Sequence, residues 1–531
     1  MPVYLAHVEL TARKRKEAFR VKHSTRRSLT NRKKRIAHRL RDRHWDAQPE
    51  PMFTASNIHY EFSERDRGLG AGGIGAIHLL ARRVGLIKAI DKALVLLKVH
   101  LPYHESDHVL NIAYNILSGG ECLEDIELRR NDEVYLDALG AQRIPDPTTA
   151  GDVCRRVEPC HIEKLMDAIN IVRMRVWKLQ PQAFFDQAII DADGTLAPTT
   201  GECKGGMDIS YNGEWGYHPL LISLANTREP LYLVNRSGNR PSHEGAAVRF
   251  DQAIALSREA GFRSVLLRGD TDFSQTQHLD RWASDGVQFL FGIDSRANMV
   301  RLAEELPQPR WKRLDRPLKH EVKTEPRQRP DNVKEEIVRE REFNNIRLKS
   351  EDVAEFSYTP TACERIYRIV VVRKNLSIEK GEQALFDDIR YFFYITNDIT
   401  SAPEDLVFLA NGRCNQENLI EQLKNGVSAL RMPVDDLVSN WAYMVMASLA
   451  WTLKAWFALM LPETGRWSEK YAAEKHDVLR MEFKKFLNGF MRLPCQVVRT
   501  GGRIVFRLLS WNPWQQVLLR CVEGLRYPLK T

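Results

Sequence analysis

The string AIIDADGT, residues 188–195, runs a short apolar segment into two aspartates one residue apart and then a Gly-Thr pair. Alternation along a β-strand puts Asp191 and Asp193 on the same face. Read alone, the string also suits a capped turn, since a carboxylate accepts backbone N–H groups. A second string repeats the pattern. In SVLLRGDTDF, residues 264–273, Asp270 follows an apolar run and Asp272 comes two residues later. Two strands that each deliver acids at their C-terminal ends point to a site outside the strand ends of an α/β sheet.

A third string, RCNQENLIEQLKNG, residues 413–426, reads as a helix. At 100° per residue and relative to Glu417, Arg413 falls at about −40°, Lys424 at about −20° and Glu421 at about +40°, while Leu419 and Leu423 lie on the far side and Ile420 at the border, at about −60°. One face is acid flanked by cations and the other is core. By itself this is also ordinary salt bridging between neighbouring turns. Taken with the two aspartate strands it is more specific. Carboxylates clustered without histidine or thiol ligands suit Mg²⁺ or Mn²⁺. Two such ions, about 4 Å apart, activate a water or a 3′-hydroxyl and stabilise the leaving oxygen in phosphodiester chemistry.

The elements that must position these groups follow from periodicity. Residues 1–55 form a basic arm, and 56–182 repeat apolar residues at helical spacing, giving a helical N-terminal domain. From 183 to 294 the pattern changes to three strands, then helix, strand, helix, strand. Two of those strands flank the turn signal Asn226-Thr227-Arg228-Glu229, and the first helix ends at Gly261. This is a mixed α/β sheet. Within 295–410, residues 301–345 are dense in both charge signs with five prolines and resemble an insertion more than a core, and strands then return. The core resumes over 411–480 with the glutamate helix. Residues 481–531 form a tail with a hairpin around Gly501-Gly502.

The charge is unevenly spread. The chain of 531 residues has a formal net charge of +9, yet residues 11–43 alone hold fifteen Lys/Arg against Glu17 and Asp42. Arg32, Lys33, Lys34 and Arg35 are consecutive in this arm, which suits a polyanion such as DNA. The eight cysteines include no Cys-x-x-Cys pair, and no secretory signal precedes them; this predicts no zinc module and a reducing, cytoplasmic setting. Residues 441–461 are long and apolar enough to imitate a membrane span. Lys454 lies inside them, however, and a buried helix with no membrane partner is the expectation. Gly68-x-Gly70-x-x-Gly73 is formally a dinucleotide fingerprint. It lacks a good strand before it and reads as the lead-in to the first helix.

With these residues in place, the chain resembles a bacterial insertion-sequence transposase of the DDE class, in particular the insertion sequence 1380 family. IIDADGT resembles the first-aspartate strand, LLRGDTDF the second, and RCNQENLIEQLKNG the glutamate helix. The family signature Tyr-x2-Arg-x3-Glu-x6-Lys is met by Arg413, Glu417 and Lys424, with Ala410 at the tyrosine position. GGECLEDIELRR and MPVDDLVSNWAYMVMASLAWTLKAW are also similar, so the resemblance spans roughly residues 65–510.

The resemblance implies a ribonuclease-H-like core interrupted by a β-rich insertion, and a triad of Asp193, Asp270 and Glu417 that binds two Mg²⁺ ions, with Mn²⁺ able to substitute. It implies Arg413 and Lys424 as DNA contacts or as groups positioning Glu417. It also implies binding to terminal inverted repeats and target DNA, assembly as a homo-oligomer on DNA, and a nucleoid-associated location. Asp191 competes with Asp193 for the first position, and Asp272 stands where the family usually has a small residue. Two other readings are a catalytically inactive DNA-binding protein on a transposase scaffold and a carboxylate hydrolase that needs no metal.

Overall fold

The computed structural model describes residues 23–39, 59, 66–97, 102–316, 333–341, 344–380 and 383–526. A nine-stranded mixed sheet carries the acids. Its first group in chain order is β2 (Gln187–Gly194), β6 (Leu220–Leu224), β7 (Glu229–Val234), β8 (Ser264–Gly269) and β9 (Gln288–Ile293). Between β2 and β6 the chain builds a small separate sheet from β3 (Ala197–Pro198), β4 (Asp208–Ile209) and β5 (Trp215–Tyr217). β2, β8 and β9 run parallel, whereas β6 and β7 join antiparallel on the other side of β2. The β6–β7 turn is where Asn226-Thr227-Arg228 predicts it, with Arg228 at φ 57°.

Alternation along the strands sorts the two faces. Ala188, Ile190, Ala192, Val265, Leu267, Phe289 and Phe291 share the main hydrophobic core with the helix Ala246–Ala260. Ile189, Leu266 and Leu290 face the opposite way, against Leu406 and Val407 of the helix Pro403–Asn411. Asp191, Asp193 and Arg268 have the parity of that second face, so the acids project towards the chain segment that leads into Glu417.

The expected insertion is not a separate sheet. β10 (Lys312–Arg313), β11 (Asn344–Tyr358), β12 (Tyr367–Lys380) and β13 (Gln383–Thr396) extend the central one, giving the order β10-β11-β12-β13-β9-β8-β2-β6-β7. The join is antiparallel, with Phe393 opposite Ile293 and Thr396 opposite Leu290. β9 would otherwise be an unpaired edge, and apolar strands that long need a neighbour.

The helices between residues 74 and 177 do not keep a core to themselves. Their buried residues belong to the same hydrophobic cluster as the sheet. The hub is the helix Leu437–Leu459, which packs on the helices Glu105–Leu117, Pro147–Arg156 and Pro159–Trp177 and on β7. Its span-like window is entirely buried, which explains why it is apolar all round. Glu229, expected only as part of a turn, is fully buried and accepts hydrogen bonds from Arg173 Nε (3.0 Å), Trp177 Nε1 (3.0 Å) and Trp456 Nε1 (2.8 Å). It thereby ties two helices to the sheet.

β1 (Gly68–Leu69) pairs with the hairpin of β14 (Cys495–Thr500) and β15 (Arg503–Leu508). The hairpin turn is Gly501-Gly502, both at positive φ, as a tight hairpin requires. The glycine-rich string serves close packing. Gly72 and Gly73 donate to the carbonyls of Leu493 (3.0 Å) and Met491 (3.1 Å), and a Cβ on Gly73 would lie 2.0 Å from the Phe490 carbonyl. At Gly72 and Gly73 the chain packs against its own backbone.

Candidate active site

Three elements deliver three carboxylates to one guanidinium. Asp193 stands near the end of β2, Asp270 directly follows β8, and Glu417 lies in the first turn of the helix Cys414–Glu421. Arg413, at the start of that helix, donates from Nη1 to Asp193 Oδ2 at 3.1 Å. The same nitrogen is 4.0 Å from Asp270 Oδ2, and Nη2 is 4.0 Å from Glu417 Oε1. The glutamate helix has the amphipathic character expected of it. Leu419, Ile420 and Leu423 are buried, whereas the Glu417 side chain is 64% exposed and faces the site's open side.

Asp191 has a different environment. It is 1% exposed and receives two hydrogen bonds from Arg268, at 2.7 Å from Nε and 2.8 Å from Nη2. The two residues are in register across β2 and β8, and Arg268 Nη1 also donates to the carbonyl of Leu409 at 2.7 Å. Asp191 thus anchors the segment ahead of Arg413 and offers no free oxygen at the site. Asp272 is exposed and gives its backbone N–H to Asp270 Oδ1 at 3.0 Å, which fixes the Asp270 rotamer.

Burial raises the Asp193 carboxyl to about 7. Arg413 opposes the shift, while the charges of Asp270 and Glu417 reinforce it. Asp270 is raised as well, again chiefly by burial. Like charges crowded in a partly dry pocket call for a cation. The donor set is entirely carboxylate oxygen, which fits a hard divalent ion. Asp193, Asp270 and Glu417 could hold one. A stability prediction follows. Because the folded-state value of Asp193 is raised, its favourable contribution is complete at acid pH and is lost as pH rises from the ordinary 3.8 towards about 7. In EDTA, Asp193→Asn should raise thermal stability at pH 8 by about 1–3 kcal/mol and much less at pH 5. Parallel melting-versus-pH curves for the two proteins would contradict this.

Lys424 is half-buried, and burial lowers its ammonium; the charges of Glu421, Asp193 and Glu214 act the other way. It lies in a π-helical turn, Gln422–Gly426, closed by Val427 N–H to the Gln422 carbonyl at 2.9 Å. Such widened turns are common at functional sites, and here the turn carries a cation beside Asp193. Sequence reasoning missed two positioning groups. Gln416 is buried, accepts from the Ser223 hydroxyl and donates to the Leu221 carbonyl at 3.4 Å, pinning the glutamate helix to β6. His218 donates from Nδ1 to the Arg240 carbonyl at 2.7 Å and lies within electrostatic reach of Asp272 and Lys424. Only the Gln-Glu adjacency could have hinted at the first.

The transposase DDE domain group 1 model matches residues 69–528. The chain belongs to this DDE transposase family. Members use divalent metal ions and act on DNA, in keeping with the all-carboxylate centre. No curated protein matches the transposase. Among solved structures it is similar to a piggyBac transposase in a synaptic complex with hairpin DNA, at 10% identity and a TM-score of 0.32, over 79% of this chain and 81% of that one.

The basic arm is described only as the helix His23–Arg39; the rest of the expected arm lies outside the described residues. Arg32 is committed to the C-terminal hairpin region, donating to the carbonyls of Leu508 (2.6 Å) and Ser510 (3.0 Å). Lys33 has its ammonium 6.0 Å from the Trp511 ring centroid. Lys33, Lys34 and Arg35 are exposed.

Proposed function

We propose that this transposase binds the ends of its own mobile element and carries out metal-dependent strand cleavage and strand transfer, with Asp193, Asp270 and Glu417 as the metal ligands. The observation that carries this reading is the convergence of those three side chains, from two strands and a distant helix, on Arg413. The core is ribonuclease-H-like. Support comes from the order β7-β6-β2-β8-β9, three antiparallel strands followed by two parallel ones, with the first acid on the central strand. The string resemblances favour a bacterial element of the insertion sequence 1380 kind.

When bound, two Mg²⁺ ions, or Mn²⁺ in their place, supply Lewis-acid activation of water or a 3′-hydroxyl and stabilisation of the leaving oxygen. The chain's own residues do the rest. Asp193 gives up its proton to become a ligand, helped by Arg413. Asp270 is held in position by the Asp272 N–H, and Gln416 fixes the helix from which Glu417 projects. Lys424 and Arg413 flank the carboxylates and suit backbone phosphates. The test joins a duplex carrying the DNA that flanks the gene to a plasmid target in Mg²⁺. Strand-transfer products that vanish in EDTA are expected; cleavage that survives EDTA would favour a two-carboxylate hydrolase.

The helical part of the arm supplies non-specific affinity through Lys33, Lys34 and Arg35. Replacing all three by alanine should weaken duplex binding and lower the slope of log K against log salt by about 2–3 units. Arg32→Ala should instead loosen the C-terminal hairpin region and lower the melting temperature. An unchanged slope in the triple variant would remove these residues from the DNA interface. The protein is proposed to act as a homo-oligomer on DNA in the cytoplasm.

A further inference from the structure

Arg413 occupies the space between the three carboxylates. Its Nη1 is 3.1 Å from Asp193 and 4.0 Å from Asp270, and its Nη2 is 4.0 Å from Glu417. A guanidinium held there competes directly with a divalent cation for the same oxygens, because both positive charges cannot share one half-buried set of ligands. Arg413 also sits at the rim, with its side chain 20% exposed. Its planar fork matches a phosphate as well as a carboxylate. From this geometry we infer that Arg413 is an exchangeable counter-cation: loading of the carboxylates with metal releases it from Asp193 and hands it to a phosphate of the DNA, so that metal and DNA binding reinforce each other.

The inference rests on the metal-site reading above and adds a coupling to it. That coupling is reciprocal, because what metal does for DNA affinity, DNA must do for metal affinity. Two residues hold the backbone at the start of the helix in place. Asn415 Nδ2 donates to the Gly412 carbonyl at 2.9 Å, and Arg228 Nη2 donates to Asn415 Oδ1 at 3.1 Å; both brace the first turn of the helix while its arginine moves. The opposing account makes Arg413 a fixed strut that positions Glu417. The two accounts predict opposite signs for one measurement.

That measurement is calorimetric titration of the full-length protein with MnCl₂ alone, for wild type, Arg413→Ala and Arg413→Lys, with thermal melting to verify folding. A competitor removed should tighten Mn²⁺ binding, by about fivefold or more in Arg413→Ala, with Arg413→Lys close to wild type. Duplex DNA binding is then compared in EDTA and in Ca²⁺. Wild type should gain about fivefold or more from Ca²⁺, and Arg413→Ala distinctly less. Weakened or unchanged Mn²⁺ binding in Arg413→Ala, or an equal Ca²⁺ gain in both proteins, would overturn the exchange. Should Arg413→Ala not fold, Arg413→Lys must still show the smaller Ca²⁺ gain, since an ammonium lacks the fork. Wild type that binds no Mn²⁺ would overturn the metal site itself, a distinct result.

Discussion

Glu417→Gln should abolish strand cleavage, by several orders of magnitude, while leaving the melting temperature within a degree or two of wild type. The side chain is largely exposed, and its contact with Arg413 is at 4.0 Å, so as a structural pair it is worth only about a few tenths of a kcal/mol. As a metal ligand the same carboxylate is indispensable, since an amide oxygen carries no charge to hold the ion that activates the nucleophile. Glu421→Gln is the internal control. It lies one turn on, is exposed, and accepts from Asn425 Nδ2 at 2.7 Å. Cleavage by that variant should stay within about tenfold of wild type. Equal losses in the two variants, or a loss at Glu421 alone, would move the ligand by one turn.

The second large effect separates the two aspartates of β2. Asp191→Ala should cost about 3–5 kcal/mol of stability, because it strands the buried Arg268 guanidinium without its bidentate partner. The loss should be visible as a steep fall in the urea midpoint. Cleavage assayed well below the melting temperature should persist at a reduced level, since the link from Arg268 to Leu409 is disturbed while the ligands remain. Asp193→Asn should do the reverse, keeping the fold and losing the chemistry. A stable Asp191→Ala protein that cannot cleave would make Asp191 the ligand.

This division was not legible in the sequence. Period-two alternation put both aspartates on one face, and that holds. What distinguishes them is the register of β2 against β8, which sets Asp191 opposite Arg268 and leaves Asp193 beyond the last pair. Register between distant strands leaves no local trace. The same limit hid the sheet extension: β11 to β13 were readable as strands, but their attachment to β9 is a tertiary choice that saves an edge. Glu229 looked like a turn residue because its three donors come from helices elsewhere in the chain. The glutamate helix was the most legible part, since apolar spacing alone oriented Glu417 and Lys424, although the π turn that carries Lys424 could not be foreseen. Arg32 shows the opposite failing, where a run of like charges concealed one member engaged in packing.

Asp193, Asp270 and Glu417 are proposed to form one metal-dependent centre for cutting DNA. Its most direct test is cleavage by Asp270→Asn of a duplex carrying the DNA that flanks the gene, measured across a Mn²⁺ titration beside wild type. Asp270 suits the test because it makes no ion pair closer than the 4.0 Å approach of Arg413 and its amide is nearly isosteric. Wild-type cleavage should rise with Mn²⁺, and a folded, DNA-binding Asp270→Asn protein should show none at any concentration. Metal-dependent cleavage retained by Asp270→Asn would contradict this.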